Sequence, residues 1–486
     1  MDKLRALFVL FHLVGITLLS LPTPGKAQDL DAPEAAALLE DLRALGARLG
    51  VERSAAEVKV IAVDVSERIR EARAALLAPF NPYARLTGAR QGWSMFWAIN
   101  HRPARLVIEL EGPDGAWTPL YVARSDTYAW RRRELDQERL RGVVNQYSHL
   151  RDRRSYRAFA AFIARRALAD HPDRHPRPGA DGGAAEPAPR GPARREDPAV
   201  EAPLGGALLP GDPVRPRALA EAWVAYWAQL APPTPLALIR VALALCALGT
   251  LAHMIWSGVL LWVWGDLEFG GYRQNAPGHW WWSFVPHTEA GLWGTVALAI
   301  TAGVLVLVGL GGRASSLALL ILTMALTSIN PESGGGHDRL LTNALWLLVL
   351  SPASATLSLD CRLRTGAWSD TTPRPAWTRD LFLFQLVLVY VTTGVQKIGG
   401  GDWMPWGEFM ALHYALQLPS WQRWDLSGVL GSVTPLTQLA TVGTMLFELG
   451  APLLWLGVWA ERHPEGGRVV RLARRVHLRR GLCSPR

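Results

Sequence analysis

The sequence predicts a mainly α protein: a polytopic helical membrane bundle in the C-terminal half, preceded by a small exported α+β domain. Three observations predict it. Residues 236–460 are rich in Leu, Val, Ala, Gly and Trp, with long stretches free of charge. Residues 28–220 are rich in Arg, Ala, Pro and Asp instead, and the first thirty residues have the order of an export signal. The hydrophobic content of 49% is therefore an average over two unlike halves. The formal net charge of +9 comes from the front region and from the tail, where eight arginines follow Glu461. Basic segments beside membrane helices touch anionic lipid headgroups, so the lipid bilayer is the expected partner and nucleic acid is not. Cys246, Cys361 and Cys483 lie far apart without ligand spacing, which argues against a disulfide framework and a metal site.

The elements follow in chain order. Residues 1–27 read as a signal peptide or an uncleaved anchor. Lys3 and Arg5 precede an apolar run, Ala6–Leu21, in which only His12 titrates. Gly25-Lys26-Ala27 then offers small residues for cleavage before Gln28. Both readings place residues 28–215 outside the cytoplasm, with 28–170 as the exported α+β domain. Within that domain Asp29–Leu77 reads as helical, with apolar residues around Leu38, Leu39, Leu42 and Leu45. Arg105–Glu111 and Trp117–Arg124 alternate apolar and polar around Pro113-Asp114-Gly115, which predicts a β-hairpin. Glu134–Tyr147 and Ser155–Leu168 read as amphipathic, arginine-rich helices. The aromatic stretch Gln91–Phe96 reads as packed core or a membrane-facing edge before it reads as a ligand site. Residues 171–216, dense in Pro, Gly, Ala and charge, bury too little apolar surface to offset ordering entropy and read as a linker.

Residues 217–460 form the membrane domain and 461–486 a basic tail. An interfacial helix is expected around Ala222–Leu230. Six spans follow: Leu236–Trp264, Leu292–Leu310, Ser315–Ile329, Arg339–Leu350, Leu381–Gln396 and Leu436–Trp459. Helices are the form open to such segments, because backbone groups in hydrocarbon must pair internally. Trp280-Trp281-Trp282, Trp403, Trp406, Trp421 and Trp424 fall at span borders and read as headgroup-level anchors. Six spans return the tail to the outside, whereas its arginines favour the inside. Either Trp406–Leu418 is an extra or re-entrant segment, or the charge rule fails here.

Ionisable residues at bilayer depth are costly and so are functional candidates. Arg240 near the head of the first span reads as a snorkelling side chain or an ion-pair partner. His253 reads as a buried, hydrogen-bonded histidine. Gly334-Gly335-Gly336-His337-Asp338 opens a helix, with Asp338 a candidate N-cap. Lys397 ends the fifth span. There it either snorkels or, if desolvated, becomes a usable base. Glu408 and His413 follow closely, as relay partners of Lys397 or as helix anchors. Glu448 sits alone in the sixth span and needs a partner or a proton.

These residues together carry a resemblance. Arg240, the Gly-Gly-Gly-His337-Asp338 turn, Ser358-Leu359-Asp360, Tyr390-Val391-Thr392-Thr393-Gly394-Val395-Gln396-Lys397, Asp402-Trp403, Gly407-Glu408 and Phe447-Glu448-Leu449 resemble the HTTM (horizontally transferred transmembrane) domain, over about residues 236–460. That domain is shared with vitamin K-dependent gamma-carboxylase, in which a lysine of the matching segment deprotonates reduced vitamin K. The resemblance implies Lys397 as base and a reduced quinone as the cofactor to consider; His337, Glu408 and His413 are the companion catalytic candidates from the reading of the residues themselves. The resemblance does not extend to the carboxylase's large C-terminal lumenal region. A bacterial subset, including a membrane component of the sporulation-delaying toxin system, is similar in style and implies maturation of a secreted peptide. Small exported partners of that subset carry a stretch similar to Gln91–Phe96.

The expected role is assistance in modifying or maturing an exported peptide or protein, at the cell (inner) membrane. Two alternatives stay open: a quinone-dependent carboxylase or epoxidase using Lys397, and a non-catalytic transporter, immunity or scaffold protein. On the last reading Arg240, His253, Asp338, Asp360 and Glu448 are structural.

Overall fold

The structure is a computed structural model. It describes residues 2–23, 39–40, 42–44, 46–47, 50–89, 105–112, 114–147, 153–172, 216–271, 284–418, 422, 424, 426–453 and 456–457. The cleavage segment Gly25–Ala27, the aromatic stretch Gln91–Phe96, most of the linker, Trp280–Trp282, Trp421 and the basic tail lie outside the described residues.

The front half contains α1 (Asp2–Ser20), α2 (Ala55–Leu77), α3 (Asn81–Thr87), the strands β1 (Val107–Glu111) and β2 (Trp117–Val122), and the helices α4 (Arg132–Leu135), α5 (Glu138–Tyr147) and α6 (Arg153–Asp170). The C-terminal half continues with α7 (Pro216–Trp227), β3 (Leu230–Ala231), α8 (Thr234–Ser257), α9 (Leu260–Trp264), α10 (Glu289–Val308), α11 (Gly312–Ile329), α12 (Gly336–Leu350), α13 (Leu359–Thr365), β4 (Arg374–Pro375), α14 (Trp377–Ile398), α15 (Ala411–Ala415), α16 (Ser427–Leu430) and α17 (Thr434–Leu449). Among the described residues, α1, α8, α10, α11 and α14 are long and apolar enough to cross a membrane.

The membrane-length helices α8, α10 and α11 and the shorter α12, which covers the expected span Arg339–Leu350, form the centre of the bundle around Leu236, Ala244, Val306, Leu319 and Leu345. Hydroxyls on α10, α11 and α14 donate back to carbonyls of their own helix: Thr295 to Gly291, Thr327 to Thr323 and Thr392 to Leu388. A polar side chain satisfied in this way needs no water. The expected span Leu236–Trp264 is two helices, because the chain leaves α8 at Gly258 with φ of 75°. His253 therefore lies one turn from a helix end. It is exposed and stacks on Trp256, where a buried, hydrogen-bonded histidine was expected.

Arg240 closes the end of the bundle where α10 passes into α11. It donates from Nη1 to the Ala353 carbonyl at 3.1 Å and from Nη2 to the Leu357 carbonyl at 2.6 Å. At 2% exposure it is not a snorkelling side chain. Asp360 completes this clasp by accepting the Gly311 amide at 3.1 Å. Gly309 sits between them at φ of 72°, and a Cβ there would lie 2.4 Å from both Arg240 Nη1 and Ser358 Cβ. Gly309→Ala should therefore cost at least about 1–2 kcal/mol from the left-handed backbone alone. The loss is measurable as a lower yield of monodisperse protein in detergent.

Helix α1 packs into the bundle. Val9 shares a cluster with Trp227, Leu347 and Leu381, and the Trp223 indole donates to the Ala6 carbonyl at 3.0 Å. His12 Nδ1 lies 2.7 Å from the Tyr83 hydroxyl, which arrives on α3. The end of α3 is in turn fixed by the Trp346 indole, which donates to the Thr87 carbonyl at 2.6 Å. Residues 77–89 thus sit between α1 and the α11–α12 pair.

Hairpin β1–β2 pairs antiparallel, with Ile108 opposite Tyr121 and a register shift before Glu109. Tyr121, Leu135, Leu140, Phe159 and Phe162 share one apolar cluster that also takes in Trp262 of α9. The front elements therefore pack directly on the membrane half.

Candidate functional site

Two groups of buried charge occupy the end of the bundle at which α12 starts and α14 finishes. The first joins α14 to α17. Lys397, in the last turn of α14, donates to Glu448 Oε1 at 2.6 Å. The two residues are 3% and 7% exposed. The ammonium lies 4.1 Å from the centre of the Trp403 ring, and Trp403 is itself buried. This indole is a lid on the lysine, not the headgroup anchor expected from its position. Trp406 and Trp424, by contrast, are largely exposed. The close approach of the two helices depends on Gly394, where a Cβ would lie 3.1 Å from Glu448 Cβ. Glu448 Oε2 has no hydrogen-bond partner among the described residues. An ion pair removed from water is held by such direct contacts and is strongly disturbed when one partner is lost.

The segment after α14 coils over this pair. Glu408 and Phe409 are consecutive non-glycine residues with φ of 56° and 55°. Left-handed backbone costs about 1–2 kcal/mol per residue, so the surroundings must hold it. Gln438 of α17 donates to the Glu408 carbonyl at 2.9 Å, and the Leu412 amide donates to Thr441 at 3.2 Å. A small apolar cluster of Trp403, Ala411, Leu418 and Met445 fills the space beneath. No hydrogen bond among the described residues forms the expected relay from Lys397 to Glu408 and His413. Lys397 turns to Glu448, Glu408 contributes its carbonyl, and His413 Nδ1 is buried without a partner among the described residues.

The second group joins α5 to α12. Arg139 is 2% exposed and grips Asp338 through both terminal nitrogens, Nη1 to Oδ2 at 2.9 Å and Nη2 to Oδ1 at 2.6 Å. Nη1 also donates to the Ser333 carbonyl at 3.2 Å, and the guanidinium lies 5.8 Å from the Trp264 ring centre. His337 Nε2 is 3.5 Å from Arg139 Nη2. Asp338 also accepts the Gly335 amide at 2.9 Å, so it caps from the first turn of α12 and not from the N-cap position. Gln137 sets Arg139 in place by accepting the Arg139 and Leu140 amides at the start of α5. One turn on, Arg141 donates to the Gln422 carbonyl at 3.2 Å. Burial, and after it the neighbouring Arg124, push the Arg141 guanidinium down to about 10. Helix α5 therefore touches both the turn before α12 and the loop beyond α15.

Of the expected site residues, Lys397 and Glu448 meet, as do His337 and Asp338. Arg240 and Asp360 lie at the opposite end of the bundle. Sequence reading missed Arg139, because a single arginine in an arginine-rich helix carries no local signal of burial. Among the described residues no three His, Cys, Asp or Glu side chains group to hold a metal.

Residues 229–463 match a family model described as the HTTM domain. The membrane half is an HTTM domain. No curated protein and no solved structure matches the chain. The HTTM domain thus contributes Lys397, Glu448, Asp338 and Arg240, whereas Arg139 comes from sequence in front of it. A cavity of about 940 Å³ lies between α1, α7, α14 and the segment after α17, lined by Leu13, Trp223, Tyr226, Phe384, Val387 and Leu456 among others. Neither Lys397 nor Glu448 lines it.

Proposed function

We propose that this HTTM protein works in the cell membrane on an exported peptide or protein, which the front region presents from outside the cytoplasm. Lys397 and Glu448 are its proton-handling centre. The observation that carries this reading is a dry lysine–glutamate contact at the same end of the bundle as the docked front helices. Lys397 can give a proton and the open Glu448 oxygen can accept one, within a site whose lid, Trp403, keeps water out. The front region, gripping both neighbouring loops through α5, is placed to bring a polypeptide to that end. Comparative mass spectrometry of exported peptides, from cells with and without the protein, tests this. A modified or trimmed peptide should vanish on deletion and in a Lys397→Met variant. Unchanged maturation after removal of the front region would count against the presenting role.

A second reading, a quinone-dependent carboxylase or epoxidase, is favoured by the burial of Lys397 where a snorkelling lysine was the alternative. It needs a reduced quinone at the lysine. The large apolar cavity reaches Val387, ten residues and so about 15 Å along α14 from Lys397. Epoxide formation from reduced naphthoquinone, abolished in Lys397→Ala, would support this reading, and full turnover in that variant would remove it.

A further inference from the structure

Helix α2 carries an apolar stripe that no described part of the protein covers. Ile61, Val65, Ile69, Ala72 and Leu76 recur at helical spacing and fall within about 100° of arc. Ile61, Val65, Ile69 and Leu76 are 48%, 47%, 48% and 59% exposed. Charged residues of both signs occupy the rest of the helix: Arg68, paired with Asp64, and Arg73 border the stripe, and Glu67, Arg70 and Glu71 stand away from it. An apolar stripe with a charged remainder is the pattern of helices that lie in a membrane interface.

The position of α2 favours lipid over a protein as the covering partner. Arg73 donates to the carbonyls of Leu18, Leu19 and Leu21, at the end of the membrane-length helix α1. That fixes the last turn of α2 at the level where α1 leaves the bilayer. Leu21 is itself 46% exposed there. Four residues beyond Arg73 the chain goes deeper: Leu77 is buried, and the Phe80 ring packs on Phe11 at 4.8 Å. The stripe is thus continuous with a segment already lodged against a membrane span. We propose that α2 is an in-plane membrane helix, with Ile61, Val65, Ile69 and Leu76 in the headgroup–acyl boundary at the end of α1.

The full chain in nanodiscs of phosphatidylethanolamine and phosphatidylglycerol provides the test. Cys246, Cys361 and Cys483 would be replaced, and single cysteines placed by Val65→Cys, Ile69→Cys, Glu67→Cys and Glu71→Cys would carry an environment-sensitive fluorophore. Doxyl-labelled lipid should quench positions 65 and 69 several-fold more than 67 and 71, and aqueous iodide should show the reverse order. Equal iodide quenching on both faces would overturn the proposal, because the stripe would then stand in water. Shielding of 65 and 69 from both quenchers would overturn it too, in favour of a protein partner. Variants are compared only where they remain monodisperse, and Ala62→Cys and Ala72→Cys, on the same face with smaller side chains, replace any that do not.

Discussion

Truncating Glu448 to alanine is expected to destabilise the folded protein by about 3–5 kcal/mol, because it leaves the Lys397 ammonium buried without its counter-charge. Lys397 is 3% exposed and its contact to Glu448 is 2.6 Å long, so little solvent can take over the role. Thermal unfolding in detergent, followed by the monodisperse fraction, reads the loss. The double variant Lys397→Met with Glu448→Leu removes both charges and should recover most of that stability, since an apolar pair of similar volume replaces a dry ion pair at small cost. Peptide maturation should stay abolished in the double variant. Normal maturation there would reduce the pair to a structural role and remove the proton-handling centre from the proposed function.

Arg139→Ala is expected to release the front helices from the HTTM domain, at a cost of about 3–5 kcal/mol, because Asp338 is then left buried with its carboxylate unpaired. Hydrogen exchange should rise together in α5 and in residues 330–338, while the Arg240 clasp at the other end stays protected. Arg139→Lys should recover little, since an ammonium lacks the planar fork that binds both carboxylate oxygens and the Ser333 carbonyl at once. Unchanged protection of α5 in Arg139→Ala would mean that the apolar cluster with Trp262 alone carries the docking.

Hydropathy made the bundle legible. The runs beginning near Leu236, Leu292, Ser315 and Leu381 each became a membrane-length helix, because a helix pairs every backbone group within one continuous apolar segment. The helix boundary at Gly258 was less visible, since the apolar composition continues through Leu260–Trp264 after the backbone has turned. Lys397 and Glu448 stood out singly as charges in apolar sequence. Their pairing did not, because it spans 51 residues and depends on how α14 meets α17. Proximity in sequence suggested Glu408 and His413 instead, and tertiary geometry overrode it. Trp403 illustrates the same limit: an indole at a span border has the same local sequence whether it faces headgroups or covers an ammonium.

The packing of α1 has a consequence for biosynthesis. Its residue Ala6 is bonded by Trp223, 217 residues later, and Phe8 packs edge-on against Trp377, later still. At about 5–20 residues per second, a ribosome reaches Trp223 roughly 10–40 s after α1 is made. An α1 retained as an anchor would therefore enter the bilayer long before its neighbours exist, and wait there for them to be translated.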